Sequence, residues 1–187
     1  MPGLDGYGKF LKDLDQELER IRGMLSRGGR GAIRCKPKCS ECCRPITVLP
    51  IEAHAVLEGS TECGEWRPHS SPDNHCPFLS KTNACQIYNS RPFLCRTRGF
   101  PVSHIGDDGE WESDGCRNLP YDAAVGFPKE RGLVLEKWNA RLYRLNTEFC
   151  AAWKLPHRRI SMAALLSAAR ADRALARPCG TTSAGSR

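Results

Sequence analysis

The chain of 187 residues has no long apolar run. No stretch approaches the roughly 18 consecutive apolar residues that identify a membrane-spanning helix. The N-terminus, MPGLDGYGKFLKDLDQELER, carries acids where a secretory signal peptide would have its apolar segment. We therefore expect a chain with no signal peptide and no membrane partner, located in the cytoplasm.

Familiar catalytic motifs are also missing from the sequence. It has no Ser/His/Asp constellation, no phosphate-binding glycine loop and no HExxH zinc motif. The pair Asp107–Asp108 ahead of Gly109 indicates a turn rather than a calcium loop. The sequence therefore leaves open whether the chain is an enzyme.

Cysteine, in contrast, is abundant. There are eleven, and the stretch CKPKCSECC at 35–43 puts four of them into nine residues. A cytoplasmic chain keeps its thiols reduced, and an odd total does not suit a complete disulfide framework. Clustered cysteines in such a chain are ligands or catalysts more often than crosslinks.

The organisation of the chain predicts a mainly α fold around an irregular, Cys-rich, metal-stabilised core with one or two short β-hairpins. Apolar residues from Tyr7 to Leu25 follow helical spacing, and the glycines of SRGGRGAIR end that helix in a linker. We divide the chain into an N-terminal helix with its linker, a cysteine-cluster domain, C-terminal helices packing on it, and a disordered tail: 1–34, 35–119, 120–176 and 177–187.

The middle part is rich in turn-forming residues and poor in apolar ones. ITVL at 46–49 predicts a short strand, and Pro50 is placed to begin a helix through Leu57, closed by Gly59. CPFL and CQIY, separated by SKTNA, predict one hairpin, and DDGE at 107–110 predicts a second turn. Such a region needs more than apolar burial to fold.

The C-terminal part begins near Lys129 and predicts two helices. Leu133 to Phe149 carry apolar residues at helical spacing, and Ser161 is placed to cap an alanine-rich helix to about Ala176. This part, residues 120–187, holds twelve bases and five acids and so accounts for the net charge of +7. Such an excess is typical of nucleic-acid binding. Our interpretation is that it partly neutralises the protein's own thiolate centre.

The cysteine spacing predicts a metal centre. Cys39-x2-Cys42 has the spacing of a metal knuckle, and Cys35 can reach the same ion. Side chains of adjacent residues diverge, so Cys43 serves a second ion, or one of Cys42 and Cys43 bridges two. We interpret Cys63, Cys150 and Cys179 as ordinary thiols. The predicted ligands are eight: Cys35, Cys39, Cys42, Cys43, Cys76, Cys85, Cys95 and Cys116.

The blocks CKPKCSECC, CPFL and CQIYNSRPFLCR, followed by an isolated Cys116, resemble the YkgJ-type cysteine-cluster family, described as a zinc- or iron-chelating domain. The resemblance spans residues 33–119, under half the chain. The family's pattern implies the same eight cysteines as ligands, and its IYxxRPxxC block is carried by residues 87–95. The family implies metal binding without an established activity.

Other residues of the motif have supporting roles in our interpretation. Pro92 suits the first turn of a short helix that bears Cys95. Arg91 and Arg96 can place guanidinium groups against the sulfurs or backbone carbonyls, and Tyr88 can pack over the centre. His75 and His54 are alternative ligands that eight cysteines leave unnecessary.

The metal is zinc or iron, the latter including an iron–sulfur cluster, because thiolates suit all of these. We expect a metal-binding protein whose site is structural or supports an interaction with a protein partner. One alternative is an iron–sulfur redox protein or enzyme. Cys35-x3-Cys39-x2-Cys42 has the spacing of radical S-adenosylmethionine enzymes, but the chain lacks the strand–helix alternation of their barrel. A second alternative is a zinc-dependent nucleic-acid-binding module, which the ligand spacing disfavours.

Overall fold

The computed structural model describes residues 3–27, 39–61, 75–116 and 132–175. The fold is mainly helical with short strands in two small sheets, which confirms the mainly α part of the predicted class. Most of the predicted linker and the whole tail lie outside the described residues. The elements are α1 (Leu4–Arg27), β1 (Thr47–Val48), α2 (Pro50–Thr61), α3 (Phe93–Thr97), β2 (Val102–Ile105), β3 (Trp111–Asp114), β4 (Leu133–Val134), α4 (Leu135–Trp153), β5 (Ile160–Ser161) and α5 (Met162–Leu175).

Helix α1 is the amphipathic helix that the periodicity predicts, extended at both ends. Its buried face packs on α2, α3, β4 and α4. The charged face is held by short ion pairs such as Arg20–Glu17 and Arg22–Glu19. The buried residues are Tyr7, Phe10, Leu14, Leu18 and Ile21.

The N-terminus of α2 is tied to α3 and α4 by hydrogen bonds between buried side chains and backbone N–H groups at the helix starts. Glu52, in the first turn, accepts the N–H of Leu49 at 2.9 Å and that of Phe93, at the start of α3, at 3.0 Å. Asn146 of α4 accepts the N–H of Ile51 at 3.2 Å through its side-chain carbonyl. Helix starts leave such donors unpaired, so these two buried side chains satisfy them and fix α2 against α3 and α4.

The strands form two small sheets. Strands β2 and β3 pair antiparallel around the predicted DDGE turn, where Gly109 has a φ of 83° that favours glycine. Strand β4 adds to β2 in parallel, and β1 pairs with β5 antiparallel. The other predicted hairpin, CPFL to CQIY, is reduced to one antiparallel bridge between Leu79 and Cys85.

Two apolar clusters fill the interior. The first cluster is Tyr7, Phe10, Leu14, Leu18, Ile21, Leu49, Ile51, Phe93, Phe100, Leu133, Trp138, Leu142, Phe149 and Cys150. The second cluster is Val48, Ala53, Val56, Cys76, Phe78, Leu79, Ile87, Met162, Leu165, Leu166 and Ala169. The middle part contributes to both clusters because its few large apolar residues are the ones that turn inward.

Helix ends follow the sequence with one correction. Ser161 accepts the N–H of Ala164 at 3.1 Å and so caps α5, as predicted. Helix α2 continues to Thr61 rather than ending at Gly59. A Cβ at Gly59 would lie 2.7 Å from the Ser90 Cβ, so this glycine allows close packing rather than a stop. None of the helices within the described ranges is long and apolar enough to cross a membrane.

Candidate metal centre

Seven of the eight predicted ligands lie within the described residues, and Cys35 lies outside them. Each cysteine in the described part of the chain is a free thiol. Cys150 is buried in the first cluster on α4, as its helical context predicted. Cys63 and Cys179 lie outside the described residues.

The Cys39–Cys42 segment forms a tight turn. The Cys43 N–H donates to the Ser40 carbonyl at 2.9 Å, and the Arg44 N–H donates to that of Cys42 at 3.0 Å. A short turn of this kind aims sulfurs in a common direction, which is the function of a metal knuckle. The adjacent pair differs in its packing, because Cys43 packs against the second cluster whereas Cys42 does not.

Four thiols, which we call the inner thiols, lie near one another: Cys43, Cys76, Cys85 and Cys95. The Cys76 N–H donates to the Cys43 carbonyl at 3.1 Å, and the Gln86 N–H donates to the Phe78 carbonyl at 2.9 Å. These bonds place the segments at 43, 76–79 and 85–87 side by side. Cys76 belongs to the second cluster, and Cys43 and Cys85 pack against it. The apolar surroundings are therefore shared by thiols from three separate segments.

Two inner thiols each accept a hydrogen bond from the backbone N–H of the residue two positions later in the chain. The Phe78 N–H donates to Cys76 and the Ile87 N–H donates to Cys85, and both bonds lower the thiol pKa. Burial outweighs them and raises the pKa of both thiols. An N–H aimed at sulfur favours the thiolate form that binds metals. The turns therefore prepare these thiols for a cation that would compensate for their burial.

Cys95 reaches the same group from α3. Burial raises its pKa to about 12, and the neighbouring Cys76 and Cys85 add to the increase. The first cluster anchors α3 through Phe93, with Pro92 just ahead of the helix as predicted. Like charges that raise one another's pKa are close in space, so thiols from 43, 76, 85 and 95 form one electrostatic unit.

The other side of the knuckle faces a cleft of about 880 Å³. Its walls include two predicted ligands, Cys42 and Cys116, which we call the cleft thiols, and none of the inner thiols. The hydrogen bond with Cys43 lowers the pKa of Cys42 to about 6, and the charges of Arg98 and Arg91 lower it further. The same hydrogen bond and burial raise the pKa of Cys43. Within the adjacent pair, the thiolate form is therefore favoured at Cys42 and the thiol form at Cys43.

Of the predicted supporting residues, Arg91 acts on the inner thiols, whereas Tyr88 and Arg96 contact Arg91 and the loop before α3. Arg91 lowers the pKa of Cys42, Cys85 and Cys95 through its charge, and its guanidinium lies 3.8 Å from the centre of the Tyr88 ring. Tyr88 is 61% exposed. Arg96 donates to the carbonyls of Arg91 and Asn89 at 3.0 and 2.7 Å. Arg91 is therefore near enough to the sulfurs for its charge to act on them, and Arg96 fixes the loop before α3.

The two histidines weighed as alternative ligands lie in different places. His54 lies between the rings of Phe149 and Trp153, at 5.5 and 5.9 Å, and 3.4 Å from Glu58. It packs α2 against α4. His75 lines the cleft with the cleft thiols. Its Nδ1 is buried without a hydrogen-bond partner among the described residues.

Sequence reasoning did not identify three polar residues of the cleft. His104 on β2, Glu136 on α4 and Arg98 after α3 come together only through the tertiary fold. Glu136 accepts the Ile105 N–H at 2.6 Å, and His104 lies 3.2 Å from Glu112. No spacing in the sequence indicates this arrangement, because the residues lie on separate elements.

The donor set fits zinc or iron, since thiolates are the ligands that both prefer in tetrahedral or cluster sites. Within residues 39–61, 75–116 and the other described ranges, no three candidate side chains converge closely enough to hold an ion by themselves. The inner thiols are brought together by backbone hydrogen bonds and packing, and an ion has to draw the sulfurs onto one point.

A comparison with protein families bears on the same residues. Residues 34–117 match the family model CxxCxxCC, whose description reads "Putative zinc- or iron-chelating domain". This match confirms the resemblance to a cysteine-cluster family and supports metal binding by this segment. No curated protein and no solved structure matches the chain.

Proposed function

We propose that this chain is a metal-binding protein in which the eight thiols from Cys35 to Cys116 hold zinc or iron, and that the metal has a structural role in the cysteine-cluster segment. The observation that carries the proposal is the group of four inner thiols. Three separate segments and α3 supply one thiol each, and their burial disfavours the bare thiolate. A bound cation removes that penalty.

The role of the residues follows from their positions. Cys43, Cys76, Cys85 and Cys95 supply sulfur ligands, and the N–H groups of Phe78 and Ile87 stabilise two of them as thiolates. Arg91 offsets part of the resulting negative charge. The metal supplies a crosslink between the loop at 76–87, the knuckle and α3, in addition to the backbone hydrogen bonds and apolar packing that hold these segments.

The charge distribution supports an internal use for some of the C-terminal bases. Arg159 donates to the side chain and carbonyl of Thr47 at 2.9 and 2.6 Å, and its charge favours the ionised form of Glu52. Arg141 forms an ion pair with Asp13 of α1. These bases belong to the fold, which favours a metal-binding role over the nucleic-acid-binding module.

Elemental analysis of the protein purified under reducing conditions tests the proposal. We expect stoichiometric zinc or iron, and a clear loss of metal in Cys85→Ser and Cys95→Ser. Cys150→Ala is the matched control, because it removes a buried thiol that lies in the first cluster. Full metal content in both ligand variants, or equal loss in the control, would contradict the ligand assignment.

Absorption separates zinc from the iron–sulfur alternative. Hydrogen bonds to cluster sulfur and burial tune iron–sulfur potentials, and the inner thiols have both. A brown solution with charge-transfer bands near roughly 400 nm identifies an iron–sulfur centre. A colourless protein that contains zinc identifies a structural zinc site.

A further inference from the structure

We propose that the chain associates head to tail with further copies of itself, through two exposed patches of opposite charge at opposite ends of α4. The first patch, the acidic hairpin, is the part of β2 and β3 at residues 105–114. The second patch, the basic loop, follows α4 at residues 153–159. The contact uses none of the predicted metal ligands, so it goes beyond the proposed function and is tested separately from it.

The acidic hairpin combines charge of one sign with exposed apolar surface. Its sequence, IGDDGEWESD, holds five acids and no base, and all five acids are exposed. Ile105 and Trp111, which pair across the two strands, are 47% and 45% exposed. Within the described part of the chain, Glu112 is the one acid of the hairpin that has an ion pair, with His104. Exposed apolar residues rimmed by polar ones are typical of protein interaction sites.

The basic loop has the same mixture with the opposite charge. Its sequence, WKLPHRR, holds three bases, one histidine and no acid, and every residue in it is exposed. Trp153 and Leu155 are each 42% exposed. Lys154 ends α4 in a left-handed conformation with a φ of 52°, and the Leu155 N–H donates to the Cys150 carbonyl at 2.9 Å. These features fix the loop at the C-terminal end of α4.

Helix α4 keeps the two patches of one copy apart. Glu136, in the first turn of α4, accepts the Ile105 N–H at 2.6 Å, so the acidic hairpin lies at the N-terminal end of this helix. The basic loop begins where the helix ends, at Trp153. The 19 residues of α4, at about 1.5 Å each, separate these ends by about 28 Å. The patches of one copy are therefore too far apart to contact each other.

Charge complementarity identifies the occupant of each patch as a second copy. Each patch has two large apolar residues among charges of one sign, so the acids of one copy can face the bases of the next around a small apolar centre. Such a contact joins two different surfaces, so a pair of copies still has one hairpin and one loop to bind further copies. Association therefore continues beyond a dimer unless a ring closes. Because both patches are small, we expect the association to be weak and reversible.

Sedimentation velocity of the metal-loaded full chain under reducing conditions is the first test. We expect the weight-average sedimentation coefficient to rise steadily over roughly a hundredfold range of concentration. Raising the salt from about 0.05 M to about 0.5 M should weaken association on the order of tenfold, because salt screens exposed charges. A monomer at every concentration overturns the proposal, and so does association that salt does not weaken. Heparin binding by such a monomer would assign the basic loop to an anionic partner instead.

Variants of each patch show whether the contact is head to tail. Asp107→Lys/Glu110→Lys changes the acidic hairpin, Lys154→Glu/Arg158→Glu changes the basic loop, and each variant alone should lose self-association. An equal mixture of the two should form dimers and nothing larger, because the intact loop of one variant binds the intact hairpin of the other. A mixture that stays monomeric, or a variant that still associates alone, overturns the proposal.

The matched control is Lys9→Glu/Lys12→Glu. Both lysines are exposed on α1, and this variant has the same change in net charge as the loop variant. It should associate as the wild type does. Loss of association in the control would mean that net charge, rather than contact between the two patches, governs association, and would overturn the proposal.

Crosslinking of the wild type covers the case in which a variant fails to fold. Unlabelled and ¹⁵N-labelled protein are mixed in equal amounts and treated with a carbodiimide, which joins a lysine amine directly to a carboxylate that contacts it. We expect crosslinks from Lys154 to Asp107 or Glu110 that pair a labelled peptide with an unlabelled one. Crosslinks from Lys154 that reach only acids outside the hairpin, or that join only peptides of the same label, overturn the proposal.

Discussion

The two apolar clusters are built from different kinds of segment. The first cluster joins long helices α1 and α4 with residues at the starts of α2 and α3, and its one cysteine, Cys150, is not a predicted ligand. The second cluster joins α5 and α2 with the loop at 76–87, which has one isolated bridge as its β structure. Three predicted ligands lie in or against the second cluster. We expect the first cluster to persist without metal because it joins two long helices, whereas the second cluster depends on a loop whose thiols occupy positions where a larger domain would have more apolar side chains.

This difference shows how a short cysteine-rich segment can fold beside an ordinary helical core. Loops without regular structure have few backbone hydrogen bonds to hold them and lose much conformational entropy on ordering. The proposed metal crosslink would compensate for that cost at one point. Under this proposal, the metal stabilises mainly the second cluster, where helices contribute less of the packing than in the first cluster.

Metal removal should have the largest effect. Structural zinc contributes binding free energy of about 10 kcal/mol or more to small metal-dependent domains. We expect chelation to unfold the loop at 76–87 and the knuckle while α1 and α4 keep their helical signal. Far-ultraviolet circular dichroism with limited proteolysis checks this outcome. If the metal-free protein resists protease across residues 39–48 and 76–87, the predicted difference in metal dependence between the two clusters is wrong.

Truncation of Phe149 should act on the first cluster alone. Phe149 is 1% exposed and packs near His54 of α2. Its replacement by alanine should lower the free energy of unfolding by about 3–5 kcal/mol, as expected for a buried aromatic. Metal content should be unchanged. The matched variant Phe78→Ala lies in the second cluster and should weaken metal binding too, since the Phe78 side chain packs in the cluster that contains Cys76. Equal metal content in both variants would contradict the prediction that only the second cluster supports metal binding.

Loss of the Glu52 carboxylate should lower the free energy of unfolding by nearly as much as the Phe149 truncation. Glu52→Ala leaves the buried N–H groups of Leu49 and Phe93 without an acceptor, and we expect a loss of about 3 kcal/mol. Urea unfolding of metal-free protein measures it. A loss below about 1 kcal/mol would mean that water replaces the carboxylate at this position.

The same residue gives a pH dependence. Burial raises the pKa of Glu52 above 4.5, although the N–H donors of Leu49 and Phe93 oppose the increase. The folded protein then keeps this proton over a pH range in which the unfolded chain releases it. The resulting stability is complete below the unfolded pKa and is lost as pH rises through the folded pKa. Urea unfolding of metal-free wild type and Glu52→Gln should show the wild type losing stability relative to the variant as pH rises. A difference that stays constant with pH would refute the raised pKa.

Substitution of Gly59 should have the smallest effect on stability. A Cβ there would lie 2.7 Å from the Ser90 Cβ, so Gly59→Ala should cost about 1–3 kcal/mol through overpacking. Ser90→Gly in the same chain should restore most of the loss, because it removes the clashing atoms. Thermal unfolding of the single and double variants checks the pair. No rescue would mean that the cost has another source, such as the backbone of α2.

Periodicity and capping residues predicted the helices well. Tyr7 to Leu25, Pro50 and Ser161 each specify a helix through local pattern, and the structure confirms all three. The strand at 46–49 was also predicted, but its partner β5 was not, since that pairing joins residues far apart in sequence. The parallel addition of β4 to β2 is equally non-local.

The candidate site was only partly predictable. The choice of eight cysteines came from spacing and from the family resemblance, which need no tertiary information. The grouping of Cys43 with Cys76, and of Cys42 with Cys116, depends on how three loops fold back on the knuckle. Neither the cleft nor the buried His75 nitrogen, which has no partner in the described part of the chain, leaves a trace in the sequence, because both arise from the packing of separate elements.

Hydrogen–deuterium exchange of metal-loaded and metal-free protein tests the central claim most directly. The account predicts that metal removal abolishes amide protection at 43–48 and 76–87, which include Cys43, Cys76 and Cys85. Protection at 7–21 and 138–150, in the first cluster, should persist. Equal loss of protection in both clusters, or unchanged protection at 76–87, would contradict the claim that the metal stabilises the second cluster specifically.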